Sequence, residues 1–170
     1  MTVTAIAGVS ISSLGASELA DKVVLVRVDL NVPLKQGVVT DDTRIRACFP
    51  TIDYLLNAQA KIVLVSHLGR PKGKVDPEFS LQPVFNYIQH HFSYPIQFVD
   101  DTIGEDAIQA VHALQSGQIL LLENVRFYPD ETENGSDFSR QLASLADIFV
   151  QDAFGAVHRS HASTVGVAGF

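Results

Sequence analysis

The stretch IVLVSHLGRPKGK at residues 62–74 decides the fold. Its first four residues are all aliphatic, a composition typical of a buried strand. Polar residues follow immediately: Ser66, His67, and then Arg70 in front of Pro71. Other segments of the chain repeat this order, in which an apolar run precedes polar residues and then a helix-like stretch. The pattern predicts an α/β domain whose strand ends open onto functional side chains.

The same pattern locates the other elements of the domain. Apolar runs predict strands at residues 22–28, 61–65, 96–99, 118–122 and 147–150. Helical spacing of apolar residues predicts helices at residues 41–57, 81–91, 103–114 and 138–145, the first capped by Thr40, Asp41 and Asp42 and interrupted by Pro50. Such strands and helices in alternation predict a three-layer Rossmann-like domain, in which helices cover a mainly parallel sheet on both faces. Residues 1–170 are expected to form this single domain.

Composition excludes several classes of protein. The chain has 170 residues, 46% of them hydrophobic, and a net charge of −7, which disfavours nucleic acid and anionic membranes as partners. No apolar run approaches the ~20 residues that cross a bilayer. The first twenty residues contain no basic residue, so no secretory signal is indicated. The single cysteine, Cys48, cannot form an internal disulfide, and a reducing cytoplasmic setting is expected.

The distribution of basic residues is more informative than their number. Residues 76–170 contain 13 acidic residues, no lysine, and only three arginines: Arg126, Arg140 and Arg159. Ligands of parallel sheets bind outside the carboxyl ends of the strands. Two of the three arginines follow predicted strands, so their positions indicate a site.

Polar residues collect after four of the predicted strands. They are Asp29 and Asn31, then His67 and Arg70, then Glu123, Asn124 and Arg126, and finally Asp152, His158 and Arg159.

The convergence of Arg70, Arg126 and Arg159 favours a small, multiply charged anion as the ligand. Guanidinium groups repel one another unless an anion compensates them, and each can bind phosphate or carboxylate through two hydrogen bonds. Asp29 and Asn31 carry acceptor oxygens that can bind a hydroxyl group of the same ligand. An alternative is that the SHLGRP segment and the Asp29–Asn31 segment only form turns.

Three other kinds of site are not supported. No GxGxxG follows the first predicted strand, and the chain contains no GxxxxGK[ST], so neither common nucleotide loop is present. His158 and His161 are separated by Arg159, which opposes a cation, so no metal site is predicted in this chain.

The combination of motifs resembles the amino-terminal half of the phosphoglycerate kinase family. The motifs are RVDLNVP at residues 27–33, DTRI at 42–45, SHLGRP at 66–71, ENVRF at 123–127 and DAFGAVHR at 152–159. They span almost the whole chain in the family's order and spacing. Leu30 and Ser160 depart from the common phenylalanine and alanine, and neither change replaces a polar site residue.

The resemblance implies reversible phosphoryl transfer between ATP and the carboxyl group of 3-phosphoglycerate, giving ADP and 1,3-bisphosphoglycerate, in glycolysis or carbon fixation. It assigns Asp29 and Asn31 to the hydroxyl and carboxylate end of the substrate. It assigns the phosphate to a basic patch of His67, Arg70, Arg126 and Arg159. Arg44 would stabilise charge on the transferring phosphoryl group and is the catalytic candidate.

The family's nucleotide-binding domain, which holds magnesium–ATP or ADP, has no counterpart in this chain. The chain stops on the apolar residues 164–170, so a truncated, monomeric substrate domain that is inactive alone is expected. Two alternatives are a free-standing anion-binding module and a different α/β enzyme that acts on a sugar phosphate.

Overall fold

A computed structural model describes residues 4–5, 16–69, 71, 75–127 and 136–152, and at residues 4–5, 16–17, 136–139 and 151–152 it describes the backbone alone. The strands in these ranges are β1 Thr4–Ala5, β2 Val23–Val28, β3 Leu34–Lys35, β4 Val38–Val39, β5 Lys61–Val65, β6 Ile96–Phe98, β7 Ile119–Leu121 and β8 Ile148–Asp152. The helices are α1 Ala16–Leu19, α2 Thr43–Ala47, α3 Phe49–Asn57, α4 Gln82–His91, α5 Glu105–Ala113 and α6 Ser136–Ala143. Short 3₁₀ helices cover Pro77–Phe79 and Val125–Phe127.

Six of these strands form one sheet in the order β1-β8-β2-β5-β7-β6, and each described pairing within it is parallel. The central strand β2 is in register with β5 at Val24 and Ile62, and with β8 at Val24 and Ile148. The predicted α/β fold with a mainly parallel sheet is therefore confirmed.

Both faces of the sheet are buried by helices. On one face, Val24 and Val26 of β2 belong to an apolar cluster that includes Ile52 of α3 and Val84 of α4. On the other face, Leu25 and Val63 pack in a second cluster with Val111 of α5 and Leu142 of α6. Alternate strand residues thus serve opposite faces, which explains why the strands read as continuous apolar runs.

The helix expected at residues 41–57 is two helices. α2 ends before Cys48 and α3 begins at Phe49, so Pro50 lies in the first turn of α3, where its missing N–H costs no intrahelical bond. The break thus falls two residues before the proline rather than at it. At the start of α2, Asp41 Oδ1 accepts hydrogen bonds from the Thr43 N–H at 2.9 Å and the Thr43 hydroxyl at 2.6 Å.

Sequence patterns did not indicate β1, α1 or the β3–β4 hairpin. Each strand of the hairpin has two residues, too few for a period-2 pattern, and Gln36 and Gly37 form its turn at φ 53° and 76°. No helix in the described ranges is long and apolar enough to cross a membrane.

Candidate functional site

The carboxyl ends of β2, β5 and β7 lie side by side in the sheet, so the segments that follow them meet. Ser66, directly after β5, joins all three. Its hydroxyl oxygen accepts a hydrogen bond from the Leu30 N–H at 2.9 Å, and its carbonyl oxygen accepts one from the Val125 N–H at 3.1 Å. Ser66 is fully buried, and these two hydrogen bonds fix the relative position of the three segments beneath the surface of the site.

Asp29, Asn31 and Arg44 form the side of the site that we call the exposed corner. Asp29 Oδ1 accepts a hydrogen bond from the Asn31 N–H at 3.0 Å, which shapes the turn after β2. Arg44, in the first turn of α2, donates from Nη1 to the Asn31 carbonyl oxygen at 2.8 Å and lies 3.4 Å from Asp29 Oδ1. The Arg44 side chain is 53% exposed, so its guanidinium is open to a ligand.

Glu123, Asn124 and Arg126 form the opposite side, which we call the buried corner. The fully buried Asn124 side chain donates from Nδ2 to the Leu68 carbonyl at 2.7 Å and to the Phe79 carbonyl at 2.9 Å. Its Oδ1 accepts a hydrogen bond from the Arg126 N–H at 3.0 Å. One amide therefore holds together the β5 loop, the 3₁₀ helix Pro77–Phe79 and the backbone that carries Arg126.

Glu123 anchors this corner to the start of α4. Its Oε1 accepts hydrogen bonds from the Leu81 and Asn124 N–H groups, both at 2.8 Å, and its Oε2 accepts one from the Ser80 hydroxyl at 2.6 Å. Burial raises the pKa of Glu123, and the three hydrogen bonds oppose that rise by stabilising the carboxylate, whereas a hydrogen bond with the Asp100 side chain adds to the rise. Both carboxylate oxygens are thus engaged by neighbouring groups.

Gly69 connects the two corners. Its N–H donates to Asn31 Oδ1 at 2.9 Å, and its carbonyl accepts a hydrogen bond from Arg126 Nη1 at 3.2 Å. Gly69 has φ +61°, and a Cβ on it would lie 2.4 Å from Phe79 Cδ1. The close approach of the Phe79 ring and the left-handed backbone both favour glycine here. The two corners therefore share one peptide segment.

His67, two residues before Gly69, contacts an arginine of the sheet. Its Nδ1 is 2.9 Å from Arg27 Nη2, and its carbonyl oxygen accepts a hydrogen bond from the Ser66 hydroxyl at 3.0 Å. Arg27 belongs to β2 and is fully buried. The imidazole ring and its backbone are both held in place.

A cleft of about 200 Å³ opens beside the Gly69 segment, between Asn31, Leu68 and Phe79. Glu78 also lines it, and this carboxylate opposes an anion there. Across the described ranges, no three His, Cys, Asp or Glu residues are grouped so as to hold a metal ion.

The structure brings together five of the seven residues that the sequence indicated. Asp29, Asn31 and Arg44 are in direct contact, Gly69 links them to Arg126, and His67 follows the same strand as Gly69. Arg70 and Arg159 lie outside the described residues. The alternative that Asp29 and Asn31 form turns describes part of their role, because both accept backbone hydrogen bonds. Their assignment to a ligand stays a prediction.

Arg27, Ser66 and Asn124 belong to the motifs quoted from the sequence, but their structural roles in the site were not predicted. Arg27 was detectable in principle, since it is the only charged residue within the apolar strand VVLVRV. A charged side chain in a buried strand needs polar partners, and His67 is one of them. The bridging role of Asn124 gave no signal, because the two carbonyls that it binds, those of Leu68 and Phe79, are distant in sequence.

Comparisons with known proteins agree on one family. The model of the family described as phosphoglycerate kinase matches residues 14–170. The phosphoglycerate kinase of Moorella thermoacetica is 56% identical over 151 residues, which make up 89% of this chain and 38% of that protein. That of Synechococcus sp. (strain CC9311) is 51% identical over 162 residues, or 95% of this chain and 40% of that protein.

Solved structures give the same result. The structure of phosphoglycerate kinase from Coxiella burnetii matches with a TM-score of 0.78 and 40% identity, over 94% of this chain and 38% of that one. The enzyme from Pyrococcus horikoshii matches with a TM-score of 0.80 and 30% identity, over 92% of this chain and 39% of that one. The chain spans about two fifths of the length of the relatives that it matches.

Proposed function

Because this chain belongs to the phosphoglycerate kinase family, we propose that the protein containing it transfers a phosphoryl group between ATP and 3-phosphoglycerate. The observation that supports this most directly is the Gly69 segment, which joins the exposed corner to Arg126. In the forward direction a substrate carboxylate oxygen forms a bond to the γ-phosphorus of ATP. The bond to the bridging oxygen breaks, and ADP and 1,3-bisphosphoglycerate leave.

The exposed corner would receive the end of the substrate that reacts. Asp29 and Asn31 supply acceptor oxygens for the substrate hydroxyl. Both contacts of Arg44 described above use Nη1, so the guanidinium, with its five N–H donors, can also bind a ligand. We assign Arg44 to the charge that develops on the transferring phosphoryl group, where a fixed donor lowers the barrier.

The phosphate at the other end of the substrate would lie against the basic patch of His67, Arg70, Arg126 and Arg159. Arg126 supports this role because its position is fixed by the Asn124 side chain and by the Gly69 carbonyl. A charged donor held in place loses little side-chain entropy when a phosphate binds. Arg70 and Arg159 are assigned by family resemblance alone.

The nucleotide would be bound by another part of the full-length protein. The described residues offer no carboxylate cluster suited to magnesium. Because the chain spans about two fifths of the length of the relatives that it matches, we assign magnesium–ATP to a carboxyl-terminal domain and residues 1–170 to the substrate domain. Bound magnesium–ATP supplies the phosphoryl group, and the present chain alone should not catalyse transfer, because both reactants must be held in line.

We also propose a monomeric enzyme of the cytoplasm that acts in glycolysis or carbon fixation. The net charge of −7 and the single, buried Cys48 support a reducing setting without nucleic acid or membrane partners.

Isothermal titration of the full-length protein with 3-phosphoglycerate tests the substrate assignment. Wild type should bind, and Arg126→Ala should weaken binding at least about tenfold, because a hydrogen bond to a charged group contributes ~1.5–3 kcal/mol. Arg140→Ala, which removes an exposed arginine of α6, is the matched control and should bind as wild type does. A urea unfolding curve of Arg126→Ala separates lost binding from lost folding.

Two results would contradict the proposal. One is the absence of 3-phosphoglycerate binding by wild type. The other is an affinity that is equal in wild type and in folded Arg126→Ala. A coupled assay with magnesium–ATP then distinguishes a kinase from a binding module, since only the kinase produces 1,3-bisphosphoglycerate.

A further inference from the structure

Arg27 is unusual for its place in the fold. It lies near the end of β2, between the buried residues Val26 and Val28, and is itself 0% exposed. The alternation of the strand directs it to the same face of the sheet as Leu25. Burying a guanidinium costs free energy unless polar groups form hydrogen bonds with it. One group that does so is the ring of His67, whose Nδ1 lies 2.9 Å from Arg27 Nη2.

This contact restricts the protons of the imidazole. A guanidinium has donors and no acceptor, so Nη2 donates and His67 Nδ1 must accept through its lone pair. A neutral imidazole carries a single N–H, and with Nδ1 accepting, that proton is on Nε2. A doubly protonated ring has a donor at both nitrogens and cannot make this contact.

We propose that Arg27 is a positioning residue that fixes His67 as the neutral tautomer with its proton on Nε2. The ring then presents an N–H donor, rather than a lone pair, to the phosphate group of the substrate. The identity of that phosphate rests on the proposed function, whereas the tautomer rests on the Arg27 contact alone. Histidine ligands at metal centres are oriented in a similar way, because a neighbouring group forms a hydrogen bond with the ring nitrogen that does not bind the metal.

The backbone of His67 supports this assignment. The Ser66 hydroxyl donates to the His67 carbonyl at 3.0 Å, and the same hydroxyl oxygen accepts from the Leu30 N–H at 2.9 Å. These bonds tie the start of the β5 loop to the segment after β2, the strand that carries Arg27. The ring and its partner are therefore held by neighbouring strands, and their contact does not depend on a ligand.

Nuclear magnetic resonance of the full-length protein without ligand tests the tautomer. Long-range proton–nitrogen correlation spectra of the histidine rings distinguish the two neutral tautomers and the doubly protonated ring, and His67→Gln identifies the His67 signals by their loss. At neutral pH we expect a protonated-type nitrogen shift at Nε2 and an unprotonated-type shift at Nδ1. A proton on Nδ1, alone or together with one on Nε2, would overturn the proposal.

Variants of Arg27 test whether its contact with His67 is what fixes the tautomer. Arg27→Lys keeps a charged donor and should preserve the Nε2 tautomer, whereas Arg27→Met should give a mixture of tautomers. An unchanged pure Nε2 tautomer in folded Arg27→Met would show that another group fixes the ring. If Arg27→Met does not fold, the wild-type and Arg27→Lys spectra decide the question.

A pair of His67 variants tests the consequence for binding. The amide nitrogen of Gln can occupy the position of Nε2, and that of Asn lies nearer to Nδ1. His67→Gln should therefore retain more 3-phosphoglycerate affinity than His67→Asn, by about tenfold for one charge-assisted hydrogen bond. Equal losses would overturn the donor role. If wild type does not bind 3-phosphoglycerate at all, the proposed function fails, and the ligand-free spectrum still decides the tautomer.

Discussion

The two corners of the site are built from the same residue types and differ in how those residues are held. Each contains an acid, an asparagine and an arginine. In the exposed corner the Arg44 side chain is 53% exposed and its contacts are to Asp29 and one carbonyl. In the buried corner Arg126 is only 7% exposed, and Asn124 is fully buried.

This difference in exposure suits the two corners to different tasks, ligand contact in the exposed corner and structural support in the buried corner. A half-exposed arginine with an ion pair at 3.4 Å gains little stability from that pair, because solvent screens it. It can exchange its contacts for those of a ligand at low cost. A buried asparagine whose hydrogen bonds go to backbone groups cannot be removed without leaving carbonyls unsatisfied. We therefore expect changes in the exposed corner to affect chemistry, and changes at Asn124 and Glu123 of the buried corner to affect folding.

The largest effect is expected for Arg44→Ala in the full-length enzyme. If Arg44 meets charge that develops only in the transition state, its loss should lower kcat by about 10²–10³-fold, or ~2.7–4 kcal/mol, and affinity for 3-phosphoglycerate much less. Steady-state kinetics with magnesium–ATP, combined with a binding titration, measure the two separately. A raised KM with kcat intact would instead make Arg44 a substrate-binding residue only.

Arg46→Ala is the control for that variant. Arg46 is in the same helix, also largely exposed, and pairs with Asp42 at 2.9 Å. Its removal should leave kcat unchanged and should lower the free energy of unfolding by about 1 kcal/mol, because it removes both this ion pair and the contact of the guanidinium with the Phe92 ring at 4.9 Å.

Asn124→Ala should have the next largest effect, and it should act on stability. The change removes two donors and one acceptor and leaves the Leu68 and Phe79 carbonyls without the bonds that they accept from Asn124. We expect a loss of about 2–4 kcal/mol in the free energy of unfolding, measured with urea. The control Asn86→Ala removes an exposed side-chain bond to Gln82 and should cost less than ~0.5 kcal/mol. Equal losses in the two variants would contradict the division between the corners.

The two corners were also unequally predictable from the sequence. Asp29, Asn31, His67 and Arg126 follow apolar strands, and parallel strands must bring their carboxyl ends to one edge, so their proximity could be inferred. The sheet was predictable for the same reason, since its strands are apolar on both faces.

What the sequence did not reveal depends on tertiary contacts. Asn124 bonds to carbonyls 56 and 45 residues away, and Arg27 meets a histidine 40 residues away. Such long-range pairs leave no periodic pattern in the local sequence. The two-residue strands of the β3–β4 hairpin were missed because each contains only a single repeat of the two-residue alternation that identifies a strand.

Gly69→Ala tests whether the segment that the two corners share requires glycine. We expect its effect on stability to be intermediate. Gly69 has φ +61°, and an added Cβ would lie 2.4 Å from the Phe79 ring, so the ring or the loop must move. We expect a loss of ~1–3 kcal/mol in the free energy of unfolding, together with weaker 3-phosphoglycerate binding.

Gly37→Ala is the matched control for that variant, since Gly37 has φ +76° and nothing within 4 Å of an added Cβ. It should show the cost of the backbone conformation alone, about 1 kcal/mol. If Gly69→Ala costs no more than Gly37→Ala, the contact with Phe79 does not require glycine.

The smallest effect is expected from the charge of Glu123 and depends on pH. Burial raises the pKa of Glu123 in the folded protein above its usual value of 4.5. The folded state then binds a proton more tightly than the unfolded state, so ionisation of Glu123 disfavours folding above that raised pKa. This penalty should diminish as the pH falls through the folded pKa toward 4.5, and no further change from this group should occur below 4.5.

Glu123→Gln removes the titration while keeping an oxygen that can accept from the Leu81 N–H. Urea unfolding of wild type and variant at pH 7.5 and pH 5 measures the difference in their free energies of unfolding. Wild type should gain stability relative to Glu123→Gln at the lower pH. The same comparison for Asp53→Asn, whose carboxylate accepts the exposed Tyr94 hydroxyl bond, controls for general effects of removing a negative charge. A gain at the higher pH would mean that the three hydrogen bonds outweigh burial and the Asp100 contact together, and that the buried corner is built around a stable carboxylate.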